Sequence, residues 1–196
     1  MSRFDLVLLG DNPFYGVDHL SHERARQRAK TVQSIEHTTD LIKYCHDLGV
    51  NGMVVATRPR LKEIITKIKH SSDFIDKVDF YPVMPYAQGY ALKLSEKGMM
   101  GTIKEIMSTA GFVKEVKIFT KAGMGMIKGD IKEMFKVFID VELLKLKGIR
   151  KKIIFLHPAI TDLALALNMR DIFETFRNHL KENYNNIHYY SQLKHE

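Results

Sequence analysis

A single cysteine, Cys45, stands in the 196 residues. It excludes an internal disulfide and a cysteine-rich metal knuckle, and it predicts a protein of the reducing cytoplasm. Long apolar runs are also missing. The stretch Leu6 to Leu9 is far too short for a signal peptide or a membrane span, so it reads as a strand and no membrane partner is expected. Signature motifs are scarce as well. No G-x-G-x-x-G follows the first strand, neither H-x-H on that strand nor H-E-x-x-H occurs, and no exact repeat or low-complexity tract interrupts the chain.

What is there is the composition of a globular chain, 45% hydrophobic and 27% charged, enough for one substantial core and a single α/β domain over 1–196. The formal charge of +7 raises the question of an anionic partner, nucleic acid first. Placement argues against it. The lysines spread over helix faces (Lys62, Lys67, Lys69, Lys132, Lys136, Lys145, Lys147), and the densest basic cluster, Arg24, Arg26, Arg28 and Lys30, has no nucleic-acid motif beside it. These read as solvated faces, with no specific nucleic-acid partner.

Strand and helix signals alternate. Arg3 to Gly10 reads as a strand buried on both faces, and Ser21 can cap a polar helix to about Gln33. Thr39 opens a helix with Leu41, Ile42, Cys45 and Leu48 on one face and Gly49 as its stop. Asn51 to Ala56 is a second strand. Pro59 begins a helix whose inner face is Leu61, Ile64, Ile65 and Ile68. Val78 to Met84 is a third strand, weakened by Pro82, which has no ladder donor. Asp130 and Glu133 start a helix to near Gly148 with Ile131, Phe135, Phe138 and Val141 inward. Lys152 to Leu156 is a buried strand, Arg170 to Asn183 a helix, and Ile187 to Ser191 the last strand. Leu6 to Gly10, Val54 to Ala56 and Ile153 to Leu156 are expected to be adjacent and parallel.

A helical, Met-rich excursion is expected at about 95–148, with Met99, Met100, Met107, Met124, Met126 and Met134 as adaptable packing. Within it, Phe112, Val116, Phe119 and Gly123 favour helix, while Val116, Ile118 and Thr120 also alternate as a strand does. Strands alternating with helices imply a parallel sheet with helical crossovers.

Gly10-Asp11-Asn12-Pro13-Phe14-Tyr15-Gly16 resembles the start of uncharacterised (β/α) TIM-barrel-type proteins that carry a G-x-N-P-F-x-G element after their first strand. As architecture the resemblance covers most of the chain, as a motif only Gly10 to Gly16, and it brings no activity with it. The implied fold is a (β/α) barrel, incomplete at five or six of eight units, since such barrels run to roughly 250 residues. It would be a truncated product, an open sheet, or a protomer completed by a partner, and homo-oligomers are expected. An open doubly wound parallel sheet is the alternative.

In either fold, ligands bind beyond the carboxyl ends of the strands. That rule selects Asp11, Asn12 and His19 after the first strand and Thr57 and Arg58 after the second. Tyr86 and Gln88 follow the third strand, His157, Thr161 and Asp162 the KIIFL strand, and Ser191 and Gln192 the last. His157 or His19 would transfer a proton, Asp11 would orient or assist it, and Arg58 would hold an anion; Asn12, Thr57, Tyr86 and Gln88 would bind substrate. Asp11, Asn12 and His157 are expected to open into one cleft.

Each has a structural reading too. Asn12 before Pro13 starts a turn, His19 caps a helix, and Thr161 or Asp162 caps the helix through LALALN. Gly123 and Gly125, between Lys121 and Lys128, lack the spacing of a phosphate loop and read as a flexible turn. Cys45 on an apolar stripe is an inert thiol. His19 and His22, or His157 with Asp11, do not amount to a metal centre, and no cofactor is prescribed. The expected function is a barrel-type enzyme acting on a small anionic or carbonyl-containing metabolite by acid–base chemistry. The alternative is a non-catalytic protein whose polar loops are turns and caps.

Overall fold

Five short strands alternate with helices in a mixed α/β fold. The computed structural model describes residues 7–18, 20–31, 34–71, 76–111, 130–184 and 188–190. The strands are β1 (Leu8–Gly10), β2 (Gly52–Ala56), β3 (Asp79–Met84), β4 (Ile153–Leu156) and β5 (His188–Tyr190). The helices are α1 (His22–Thr31), α2 (Ile35–Asp47), α3 (Leu61–Ser71), α4 (Ala87–Gly111), α5 (Ile131–Lys145), α6 (Pro158–Ala166) and α7 (Arg170–Asn183). The sheet order is β1-β2-β3-β4-β5. β1 pairs in parallel with β2, Leu8 opposite Gly52, and β3 with β4, Val83 opposite Phe155. No helix of the described residues is long and apolar enough to cross a membrane.

The chain divides into two compact units, Met1–Pro82 with Gly148–Ile153, and Val83–Lys147 with Ile154–Glu196. In the first, Leu61, Ile64, Ile65 and Ile68 form the buried stripe of α3, as their spacing predicts, over Met53, Val55 and Phe80 in the same core. In the second, Phe135, Val137, Ile139, Val141 and Leu143 bury α5 almost all round, and Ile172, Phe173, Phe176 and Leu180 supply the inner face of α7. Phe135 and Phe176 meet with ring centroids 6.2 Å apart.

Several expectations change. β1 does not lie buried on both faces: Leu8 and Leu9 are half-buried and Gly10 is exposed. β4 is not a neighbour of β2, because β3 lies between them. Pro82 therefore sits in an interior strand. Phe80 bridges Lys151 whereas Val83 pairs with Phe155, so β4 has one residue more than β3 between these pairs. That bulge falls where Pro82 has no N–H to offer, the circumstance in which an interior strand tolerates proline.

Helix α2 begins at Ile35, not Thr39, with the Ser34 hydroxyl accepting the His37 N–H. Its buried residues are Thr38, Thr39 and Ile42, while Leu41 and Leu48 are exposed. The threonines tolerate burial because their hydroxyls donate to the carbonyls of Ser34 (3.1 Å) and Glu36 (2.8 Å). Gly49, at φ 91°, ends the helix as expected. Asp130 caps α5 by accepting the Lys132 and Glu133 N–H groups, but Ile131 is exposed instead of inward. The excursion is helical in α4 and α5, and α4 turns at Gly98, whose φ of 64° suits glycine. The helix-or-strand question over Phe112 to Thr120 and the Gly123–Gly125 turn lie outside the described residues.

The α3 stripe yields a stability test. Ile68→Ala should lower unfolding free energy by about 2–5 kcal/mol, against roughly 0.5 kcal/mol for Leu48→Ala, in urea unfolding of both variants.

Candidate functional site

In the first unit, β1 delivers its polar loop through a tight turn. Asn12–Tyr15 forms a 3-10 turn with Pro13 in its first positions, and Gly16, at φ 65°, closes it with an N–H directed at the Asn12 and Pro13 carbonyls. Phe14, 1% exposed, anchors the turn in the core. The turn holds Asp11 and Asn12 directly after the strand, where both reach the end of β2. The Asp11 carboxylate is buried, and its Oδ2 accepts the Ala56 N–H at 2.8 Å, at the end of β2. Burial pushes the Asp11 pKa up, opposed by the Ala56 N–H and by the charge of Arg58.

Asn12 Oδ1 accepts from Arg58 Nη2 at 2.8 Å, and the Arg58 guanidinium carbon lies 4.6 Å from the Tyr15 ring centroid. Thr57, between Ala56 and Arg58, is 2% exposed, and its hydroxyl has no hydrogen-bond partner among the described residues. Asp11, Asn12 and Arg58 are thus brought together by the parallel pairing of β1 with β2. Asn12 fills its expected turn role, since its backbone carbonyl accepts the Val17 N–H.

The second unit holds Tyr86 and His157. The Tyr86 N–H donates to Glu142 Oε1 at 2.7 Å, and Glu142 is fully buried on α5. Tyr90 stacks on Phe138 at 4.0 Å, and burial together with the neighbouring Glu142 charge drives its phenol pKa upward. His157 follows β4, donates its N–H to the Met84 carbonyl (2.9 Å) and caps α6: its Nδ1 accepts the Ala159 N–H at 3.2 Å. This corrects the expected cap. α6 begins at Pro158, so Thr161 and Asp162 lie inside it, and the Thr161 hydroxyl donates back to the His157 carbonyl. Because Nδ1 is an acceptor, the neutral ring carries its proton on Nε2.

Asp11 and Asn12 belong to the first unit, Tyr86 and His157 to the second. His19, Ser191, Gln192 and the side chain of Gln88 lie outside the described residues. Sequence reasoning missed Glu142 and Tyr90, and with them a second buried acid, Asp140. Asp140 Oδ1 meets His179 Nε2 at 2.7 Å and accepts the Tyr184 hydroxyl at 2.8 Å. The available signal was two acids interrupting the apolar run Val137 to Leu144. Among the described residues no three His, Cys, Asp or Glu side chains gather as a metal site. No family model, curated protein or solved structure matches the chain.

The raised pKa of Asp11 means that the folded state binds its proton more tightly than the unfolded chain. As pH rises from the ordinary aspartate range through the raised value, wild type should lose stability relative to Asp11→Asn, which has no carboxyl proton to release. Unfolding free energies of both proteins across that window measure the difference.

Proposed function

We propose that the protein is an enzyme of (β/α)-barrel type that acts on a small anionic or carbonyl-containing metabolite by acid–base chemistry at the loops following its strands. The observation that carries this reading is the Asn12–Arg58 bond of 2.8 Å, which couples the loops after β1 and β2 around the buried Asp11. Arg58 offers the planar donor fork suited to a carboxylate or phosphate. Asp11, whose pKa burial raises, supplies the acid of this reading, and His157 with its proton on Nε2 is a candidate proton carrier. Asn12 positions Arg58, and Thr57 adds a hydroxyl. A cytoplasmic location belongs to the same proposal, on the strength of the single Cys45.

The barrel reading draws support from strand order. β1 to β5 follow one another in chain order without the reversal that marks a doubly wound sheet, and Gly10 to Gly16 retains its resemblance to barrel openings. β1 is the edge of that order, and an edge strand invites pairing with a second copy. Sedimentation velocity over a range of concentrations should therefore reveal a dimer or larger species; a monomer throughout would contradict self-association.

One observation favours the non-catalytic alternative, the capping of α6 by His157. Two variants separate the readings. Asn12→Ala should weaken binding of anionic metabolites, screened by thermal shift and titrated by calorimetry, by at least about tenfold with less than about 1 kcal/mol change in stability. His157→Asn keeps a cap-forming side chain, so it should preserve stability yet abolish turnover if His157 carries a proton. Unchanged binding and turnover in both would leave these residues as turns and caps.

A further inference from the structure

We propose that Lys69 and Lys151 form a phosphoryl-binding site at the amino ends of the strands, floored by the backbone of Gly148 and Ile149. The site lies within the first unit, at the opposite end of the strands from the Asp11 and Arg58 loops. It does not depend on the function proposed for those loops.

The starting observation is where two ammonium groups come to rest. Lys151 precedes β4, bridges Phe80 of β3 and is half-buried, and its Nζ donates to the Ile149 carbonyl at 3.1 Å. Lys69 stands in the last turn of α3, the helix that returns the chain from the carboxyl end of β2 toward the amino end of β3. Its Nζ lies 2.8 Å from the place that a Cβ at residue 148 would occupy. Both ammonium groups thus rest on the same two residues of backbone. Gly148, at φ 80°, permits this, because a side chain there would be strained and would displace the Lys69 head group.

Two like charges held against one short segment repel. Burial, and then the Lys69 charge, hold the Lys151 pKa below the ordinary lysine value. No carboxylate among the described residues pairs with Lys69. Asp79, the carboxylate bonded to this segment, is shared by the residues flanking Lys151, Arg150 and Lys152, the latter at 2.8 Å. The carbonyl end of α3 offsets part of the Lys69 charge. The field that remains is still positive at Lys151, as the direction of its pKa shows.

An anion seated on Gly148 and Ile149 against both ammonium groups converts this repulsion into attraction. The half-burial of Lys151 strengthens the attraction, since partly buried charges are screened less by water and salt. Charge selects the ligand. A phosphoryl group carries about −1.5 to −2 near neutral pH and balances both lysines, whereas a carboxylate balances one. Lysine meets phosphate as a compact point charge, so no fixed fork of donors is required. Because Lys69 belongs to α3 and Lys151 to the approach to β4, the bound group also ties these two segments together.

The test follows backbone amide spectra of the isotope-labelled full chain during titration with inorganic phosphate, glycerol phosphate and acetate, for wild type and Lys69→Gln, with thermal unfolding of both in phosphate-free buffer. Phosphate should move the Gly148 and Ile149 signals of wild type, and Lys69→Gln should need at least about tenfold more for the same movement. Without phosphate, Lys69→Gln should unfold at the same or a higher temperature than wild type, since the substitution relieves a repulsion. Tighter binding of inorganic phosphate identifies the free ion as the ligand, and tighter binding of glycerol phosphate an esterified phosphoryl group; both support the site. No movement at Gly148 and Ile149, equal affinity in Lys69→Gln, acetate binding as tightly as phosphate, or a lowered unfolding temperature of Lys69→Gln each overturns the inference. Phosphate-dependent shifts confined to Asn12, Thr57 and Arg58 overturn it too, while leaving the proposed function standing.

Discussion

Parallel pairing is the constraint on which the rest depends. Two parallel strands cannot be joined by a tight turn, so each must be followed by a crossover, and each crossover here carries a helix. The consequence is directional: neighbouring strands leave the sheet at the same end. With Leu8 opposite Gly52 and Gly10 opposite Val54, the exits of β1 and β2 lie side by side. Residues 45 and 46 positions apart in sequence then meet, Asp11 with the Ala56 amide and Asn12 with Arg58. The Asp11 side chain satisfies an amide at the end of the ladder, where β1 offers no further backbone acceptor. The same act buries a carboxyl, whose desolvation raises its pKa. One contact thus closes the ladder locally and holds a carboxyl out of water.

The second unit solves a related problem with helix α5. Its burial on nearly all sides removes the polar face on which an acid would normally sit, yet Asp140 and Glu142 remain within it. Two positions apart on a helix, they point to different sides. Glu142 meets the Tyr86 amide, and Asp140 meets His179 and Tyr184. Burying a carboxylate is costly unless hydrogen bonds replace its hydration, and these contacts supply such bonds. They also tie α5 to the segment after β3 and to α7 through directional contacts, which apolar packing alone does not provide.

Much of the fold was legible from local pattern. The α3 stripe, the Asp130 cap, the Gly49 stop and the bounds of α7 follow from spacing and capping chemistry, which act within a few residues. The α2 face was misread because Leu41 and Leu48 are apolar and Thr38 and Thr39 are not. Burial instead followed the hydroxyls that bond back to their own helix. The placement of His157 at a strand exit was legible, but its capping role depended on where α6 begins, and Pro158 at the first helical position set that start.

The sequence by itself determined the kinds of element, most of their bounds and the polar character of the strand exits, because propensity, periodicity and capping are local. Tertiary structure alone decided that β3 lies between β2 and β4, that Pro82 stands opposite a bulge, and that Arg58 lies against Asn12 and Tyr15. It also decided that Glu142 is buried against the Tyr86 amide. Each of these depends on register between segments distant in the chain, and no local pattern encodes a register that many apolar strands of similar composition could share.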